Sequence, residues 1–323
     1  MSFYPGYATT DGDRLTVDQA LKEPSFIEER IAHLAEGQLF VDQIFTQDAT
    51  PVEGGAVIYG RVLAKHRFTT ENPAPRQPGD EYQQVYRLRP EMRTAAVQDF
   101  GGKFAVTDEA IRRNRTADLD NDVTALTNTI VRKINTEAIS ALNAAIEETQ
   151  DDGLVEVAAD IPWSEAFAIG APTTQTQAAA LPAASIARAL GEAETADESA
   201  TFNRLIVTPT TRAALRICYG PDLGRVLDDF GLTLITTTGL PEGTALLVDQ
   251  AKVGFIRYEE PLTVTTWRDE AHRQTWVQAY ACPVLGITNP AALAVIRGVD
   301  GPSTTVDETS TDAVDEPSTT TES

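Results

Sequence analysis

The sequence predicts an α+β protein with two domains, and three observations predict it. Segments with helical periodicity and segments with strand character come in blocks, strands then helices then strands, without the regular βαβ alternation of a parallel sheet. Of 323 residues, 42% are hydrophobic, enough for a sizeable core divided over two domains. The third observation is a stretch that cannot belong to that core. Residues 56–105 carry eight Lys/Arg against five acids in a chain of net charge −22. The 55 residues before them hold three basic and ten acidic groups, and residues 106–165 hold five and thirteen. The middle of the basic stretch contains Pro73, Pro75, Pro78, Gly79 and Pro90, too many breakers for a packed element, so it should project from the body. A projecting basic arm on an acidic protein suits docking onto a neighbouring copy. The alternative for this feature alone is a solvated loop with ordinary surface charge.

Thr16 opens a helical pattern in which Val17, Leu21, Ile27, Ile31 and Leu34 recur on one side, an amphipathic N-terminal arm. The run LFVDQIF alternates, and after Gly54 and Gly55 the segment AVIYGRVLA reads as a strand rising into the basic arm. The return limb, TAAVQDFGGKFAV, reads as two β-like halves around a bend or tight turn at Gly101 and Gly102. Thr107 is placed to cap a short helix through about Arg113, with Asp108 and Glu109 in its first turn. A longer helix is expected from Asp120 or Asp122 to Glu148, roughly 27 residues or about 40 Å. Val123, Leu126, Ile130, Ile134, Ala138 and Leu142 line one side of it. Val131, Ile139 and Ile146 fall on others, which wedges the helix between layers.

A helix from Ala183 to about Thr195 precedes the buried-strand signal FNRLIV. TPTTRAALRICYG follows with a complete helix grammar: Thr208 caps, Pro209 takes the first turn and Gly220 ends it. PDLGRVLDDF reads as a second short helix stopping at Gly231. LTLITTT, TALLVDQ and VGFIRYE read as strands. LTVTTWRDEAHRQTWVQAYACPVLGI reads as two long strands joined by Arg268 to Arg273, and NPAALAVIRG closes the folded part. Residues 301–323, with six acids and no Lys or Arg, bury too little to offset ordering entropy and are expected to be disordered.

The composition excludes several classes. No apolar run approaches the roughly 18–20 residues of a membrane span, and the N-terminus lacks a secretory pattern. Cys218 and Cys282 are expected as reduced, packed thiols. His33, His66 and His272 are far apart and lack ligand spacing, so no metal or cofactor is expected. The acidic field disfavours specific DNA recognition. There is no phosphate loop, nucleophile elbow or triad spacing. The carboxylate neighbours Asp228 and Asp229, Glu259 and Glu260, and Asp269 and Glu270 read as solvated surface. Trp163, Trp267 and Trp276 read as core or interface anchors.

The C-terminal third carries a resemblance. GLTLITTTGLPEGTALLVD and KVGFIRYEEPLTVTTWRDEAHRQTWVQAYACPVLGITNPAALAVI contain an alternating strand and a turn at Pro241 to Thr244 that leads to a strand ending near Asp249. Two long strands follow, then a final strand opening with Pro290 to Ala292. In that order they closely resemble the ending of tailed-bacteriophage major capsid proteins of the Hong Kong 97 fold. FNRLIVTPTTRAALR resembles the same family's strand, cap and helix. DFGGKFAVTDEAIRRN resembles the return from its extended loop, and the likeness covers about residues 15–299.

The resemblance implies an N-terminal arm up to residue 55, an extended loop at 56–105, and a peripheral domain at 106–165 and 259–284 holding a long spine helix. An axial domain would occupy 166–258 and 285–300. It implies a non-enzymatic subunit that self-assembles, as pentamers and hexamers, into the icosahedral head shell around double-stranded DNA of a tailed bacteriophage. Such a shell is a virion component assembled in the host cytoplasm with a separate scaffolding protein and a portal. Arg61, Lys65, Arg67, Arg76, Arg87, Arg89 and Arg93 become candidates for contacting acidic neighbours. Two departures matter. Some members cross-link neighbours through a Lys to Asn isopeptide bond aided by a Glu, but Arg273 and Tyr280 stand at the Asn and Glu positions, so no cross-linking is expected. The fused N-terminal scaffolding segment of other members is missing, which implies a separate scaffold or prior cleavage. The alternatives are an encapsulin-like nanocompartment shell and a soluble α+β enzyme or binding module.

Overall fold

Pro24 splits the N-terminal helical pattern into α1 (Val17–Lys22) and α2 (Pro24–Ala35), because proline is well placed in a first helical turn and poorly placed inside a helix. This computed structural model describes residues 17–300 except 23, 36–38, 67, 73–74, 80, 114, 150–152, 170–173, 196–200 and 251. Thr16, Arg67 and the acidic segment 301–323 therefore lie outside the described residues.

In chain order the strands begin with β1 (Thr46–Gln47), β2 (Ala56–Arg61), β3 (Glu91–Ala96) and β4 (Phe100–Thr107). The helices α3 (Asp108–Arg112) and α4 (Thr116–Thr149) follow, then β5 (Val155–Ala158), α5 (Pro182–Thr195) and β6 (Arg204–Val207). Next come α6 (Pro209–Tyr219), α7 (Leu223–Asp229), β7 (Thr233–Thr236), β8 (Thr244–Val248) and β9 (Gly254–Tyr258). The chain closes with β10 (Thr263–Asp269), β11 (Gln274–Ala281), β12 (Pro283–Ile287) and β13 (Leu293–Arg297). The α+β expectation holds.

The strands form four sheets, ordered β1-β9-β12, β10-β11-β4, β5-β13-β8-β6-β7 and β2-β3. Side-chain alternation in the five-stranded sheet builds the two main cores. Leu246 and Val248 of β8, with Leu293 and Val295 of β13, face the core around α4. Ala245, Leu247, Ala294 and Ile296 face the opposite core under α5, α6 and α7. A sheet covered on both faces needs apolar residues at every position, which is why TALLV is buried throughout.

Helix α4 has 34 residues, about 51 Å, and begins several residues before the expected cap. Leu119, 2% exposed, extends the apolar row past the acidic stretch that masked it. Ile134 and Leu142 on one side and Ile139 and Ile146 on another are all buried, so the helix is lodged between layers as expected. Thr127 is tolerated in that setting because its hydroxyl donates to the Val123 carbonyl at 2.7 Å. Arg30 of α2 meets Asp120 of α4 at 3.1 Å and fixes the arm against the spine.

Four local expectations are corrected. LFVDQIF forms a 3₁₀ turn at Val41–Gln43 leading to the short β1, because its buried residues Phe40, Val41, Ile44 and Phe45 follow helical rather than alternate spacing. Gly101 and Gly102 do not bend the chain; they lie within β4, paired with Tyr280 and Ala279. A Cβ on Gly101 would stand 2.6 Å from the Tyr280 Cβ, and one on Gly102 would stand 2.6 Å from Leu126, so these glycines permit close approach. The last long strand is divided at Cys282 into β11 and β12, which belong to different sheets. Pro290–Ala292 form a 3₁₀ turn before β13 instead of the first residues of the strand. In addition β5, which the sequence did not reveal, pairs with β13, and Trp163 joins the core under α5 to α7.

Candidate functional site: the extended loop

Strands β2 and β3 pair antiparallel from Ala56 with Ala96 to Arg61 with Glu91, and residues 62–90 extend between them. The base of this loop is fastened to the body. Val57 and Val52 pack with Phe255 and Val284, Tyr59 meets the edge of Phe255 with ring centroids 5.5 Å apart, and the Val62 amide donates to the Thr288 carbonyl at 2.8 Å. Nearby, Asp48 accepts hydrogen bonds from Thr50 and from Arg257 of β9, which together hold its carboxyl down at about 2.

Arg61 turns inward. It is 5% exposed and pairs with Glu148 in the last turn of α4, and its Nη2 donates to the Ala145 carbonyl at 3.4 Å. A cation there also complements the negative end of the helix dipole. Its Nε has no hydrogen-bond partner among the described residues. Arg93, on the opposite strand, reaches the same Glu148 oxygen at 3.3 Å. One carboxylate therefore ties both strands of the loop base to the end of the spine helix.

Further out, the loop is held mainly by itself. Thr69 and Arg87 form an isolated bridge, the Thr70 amide donates to the Tyr86 carbonyl at 2.8 Å, and the Arg87 Nε donates to the His66 carbonyl at 3.4 Å. His66 is buried and satisfied, its Nδ1 accepting from the Leu63 amide at 3.0 Å. The Arg76 guanidinium lies 4.4 Å from the centre of the Tyr82 ring. Lys65, Arg76, Arg87, Arg89 and Arg93 are exposed, in contrast to Arg61.

Charge alone missed the other half of this surface. Of the eleven exposed large hydrophobic side chains among the described residues, seven lie on the loop, from Ile58 to Met92. Tyr82 is 75% exposed, Tyr86 60% and Leu88 45%. A cluster of this kind marks an interaction surface, whereas single exposed apolar residues need no explanation. The signal was present in VYRLR, where Tyr86 and Leu88 alternate with Arg87 and Arg89, so an extended chain has an apolar face and a cationic one.

The sheet beside the loop carries the remaining tryptophans. Trp267 and Trp276 are paired across β10 and β11 and stack at 6.3 Å, with the Lys103 ammonium 4.6 Å from the Trp276 ring. Arg268 and Asp108 pair at the same end, and Arg273, with φ of 50°, turns the hairpin tip. Cys218 and Cys282 are free and buried, and burial pushes both thiols up.

A family model described as phage capsid protein matches residues 91–296. Among solved structures, the chain is similar to a virus-like particle from Pyrococcus furiosus, at 14% identity and a TM-score of 0.55, over 84% of this chain and 98% of that one. It is similar to a Mycobacterium phage Bobi structure at 13% identity and a TM-score of 0.53, over 80% and 89% of the two chains. It is also similar to the capsid of cyanophage P-SCSP1u at 8% identity and a TM-score of 0.55, over 79% and 86%. No curated protein sequence matches. The fold is thus that of a Hong Kong 97-type capsid subunit, a body of two main cores with a long loop fastened at its base. The chain belongs to the phage capsid protein family, and it is a major capsid protein.

Proposed function

We propose that copies of this subunit join through the loop of residues 56–105, which lies on an adjacent copy and closes pentamers and hexamers into a head shell. The observation that carries this reading is the loop's surface. Tyr82, Tyr86 and Leu88 expose apolar area beside Arg76, Arg87 and Arg89, while the rest of the chain is acidic. Burying the apolar face supplies affinity, and the cationic face selects an acidic neighbour and speeds encounter. Lys65 belongs to the same candidate surface, Arg67 remains a candidate by its place in the sequence, and Arg93, though it also meets Glu148, is exposed enough to join it. Arg61 instead serves the attachment of the loop to its own spine helix.

Each contact of this kind is modest, and closure into a symmetric shell sums many of them. The division into arm (1–55), loop (56–105), peripheral domain and axial domain supports one sequence in both capsomer types, with the loop and arm absorbing the difference. The shell encloses double-stranded DNA without reading its sequence, assembles in the bacterial cytoplasm with a separate scaffolding protein and a portal, and uses no catalytic step or cofactor. The match to a phage capsid family favours this reading over a nanocompartment shell.

The test is a triple charge reversal, Arg76→Glu, Arg87→Glu and Arg89→Glu, viewed by negative-stain microscopy. Folded subunits without shells are expected, and shells of normal size and yield would overturn the proposal.

A further inference from the structure

Arg212 and Arg216 lie one turn apart on α6 and line a cleft of about 460 Å³, with Leu223, Leu227 and Leu234 as its apolar lining and Thr236 at its side. Both arginines are exposed, and neither guanidinium has a hydrogen-bond or ion-pair partner among the described residues. In a chain with 48 acids and 26 Lys/Arg, two adjacent cations without partners need an explanation. The last described residue is bound to the same helix. The Asp300 carboxylate accepts from the Thr211 hydroxyl at 2.9 and 3.0 Å and from the Gly243 amide at 3.4 Å, so residue 300 is held at the first turn of α6.

Residues 301–323 contain six acids and no Lys or Arg, and within them Val-Asp-Glu occurs twice, at Val306–Glu308 and Val314–Glu316. Each copy offers one apolar side chain and two carboxylates, which matches an apolar lining beside two guanidiniums. We propose that this acidic C-terminal segment docks in the Arg212–Arg216 cleft of its own subunit. Reach is sufficient: the seven residues from Asp300 to Asp307 span up to about 24 Å extended, whereas Thr211 and Arg216 are about 7.5 Å apart along the helix. A tether this short gives a millimolar-range effective concentration, so weak contacts are enough to populate the docked state. The pairing is exposed and is weakened by salt. It does not depend on how subunits assemble.

Disulfide trapping in the full chain tests it. Gly224 lines the cleft, and a Cβ there meets nothing within 4 Å, so Gly224→Cys is paired with Ser310→Cys; the native cysteines are buried. The control pairs Ser310→Cys with Glu109→Cys on α3. Under mild oxidation at low salt, the Gly224 pair is expected to form an intramolecular disulfide at least tenfold faster than the control. Adding Arg212→Glu and Arg216→Glu, or 0.5 M salt, should reduce it to the control rate, while Arg212→Lys and Arg216→Lys should retain most of it. A rate equal to the control, or one indifferent to charge reversal in a variant with an unchanged circular dichroism spectrum, overturns the proposal. So does a bond that joins two chains on a non-reducing gel, which would give the cleft to a second copy.

Discussion

Removing Glu148 is predicted to weaken the loop base more than removing Arg61, although the two form one ion pair. The difference follows from burial: the Arg61 side chain is 6% exposed and that of Glu148 is 48% exposed. Glu148→Ala leaves a buried guanidinium with two weak 3.4 Å contacts to Ala145 and Thr149 and an Nε that already lacks a partner. Breaking a buried pair in this way costs about 3–5 kcal/mol when both groups are buried, and the half-exposed partner lowers that to about 2–3 kcal/mol. Arg61→Met removes the buried charge together with its unsatisfied nitrogen and keeps much of the packing volume. It leaves Glu148 half in water with Arg93 at 3.3 Å, so the cost is about 1 kcal/mol. Native-state hydrogen exchange of the β2 and β3 amides reads this local stability. At about 1.4 kcal/mol per tenfold, protection should fall about 30- to 150-fold for Glu148→Ala and about fivefold for Arg61→Met. Equal losses, or a larger loss for Arg61→Met, would refute the reasoning.

Four further outcomes are expected. Gly101→Val should destabilise the subunit by about 1–3 kcal/mol, because its Cβ would stand 2.6 Å from that of Tyr280 and 3.0 Å from the Ala279 carbonyl. Gly224→Ala, in a helix with open space around the new methyl, should gain about 0.5–1 kcal/mol; thermal melts compare the two. Asp48 is held at about 2 by Thr50 and Arg257, so the stability it contributes is present above its ordinary value near 3.8 and is lost as pH falls toward 2. Melting temperatures of wild type and Asp48→Asn should therefore differ above pH 4 and converge as pH approaches 2; a constant gap would contradict this. Arg273 and Tyr280 supply neither an acceptor amide nor a carboxylate, so boiled shells should run as monomers on a denaturing gel, and a ladder of multimers would contradict that.

Where a signal is local, the sequence carried it fully. The Thr208 hydroxyl accepts from the Thr211 amide, Pro209 occupies the first turn of α6 and Gly220 follows its last residue, as the order of residue types required. The loop was legible from charge and breakers for the same reason. What escaped depends on partners distant in the chain. Gly101 and Gly102 suit a turn and a close contact alike, and only Tyr280 and Leu126, outside the local segment, decide between the two. Arg61 shares residue type and neighbourhood with the exposed arginines, and its inward turn is set by Glu148, 87 residues away. The apolar side of the loop is encoded in the alternation of VYRLR, but over so short a run the same residues also suit an ordinary solvated strand.

A density map of the assembled shell in which residues 62–90 can be traced tests the central claim most directly. The account predicts that Tyr82, Tyr86 and Leu88 are buried on the adjacent subunit, with Arg76, Arg87 and Arg89 within salt-bridge distance of its carboxylates. A loop lying on its own subunit, with those side chains still in solvent, would contradict it.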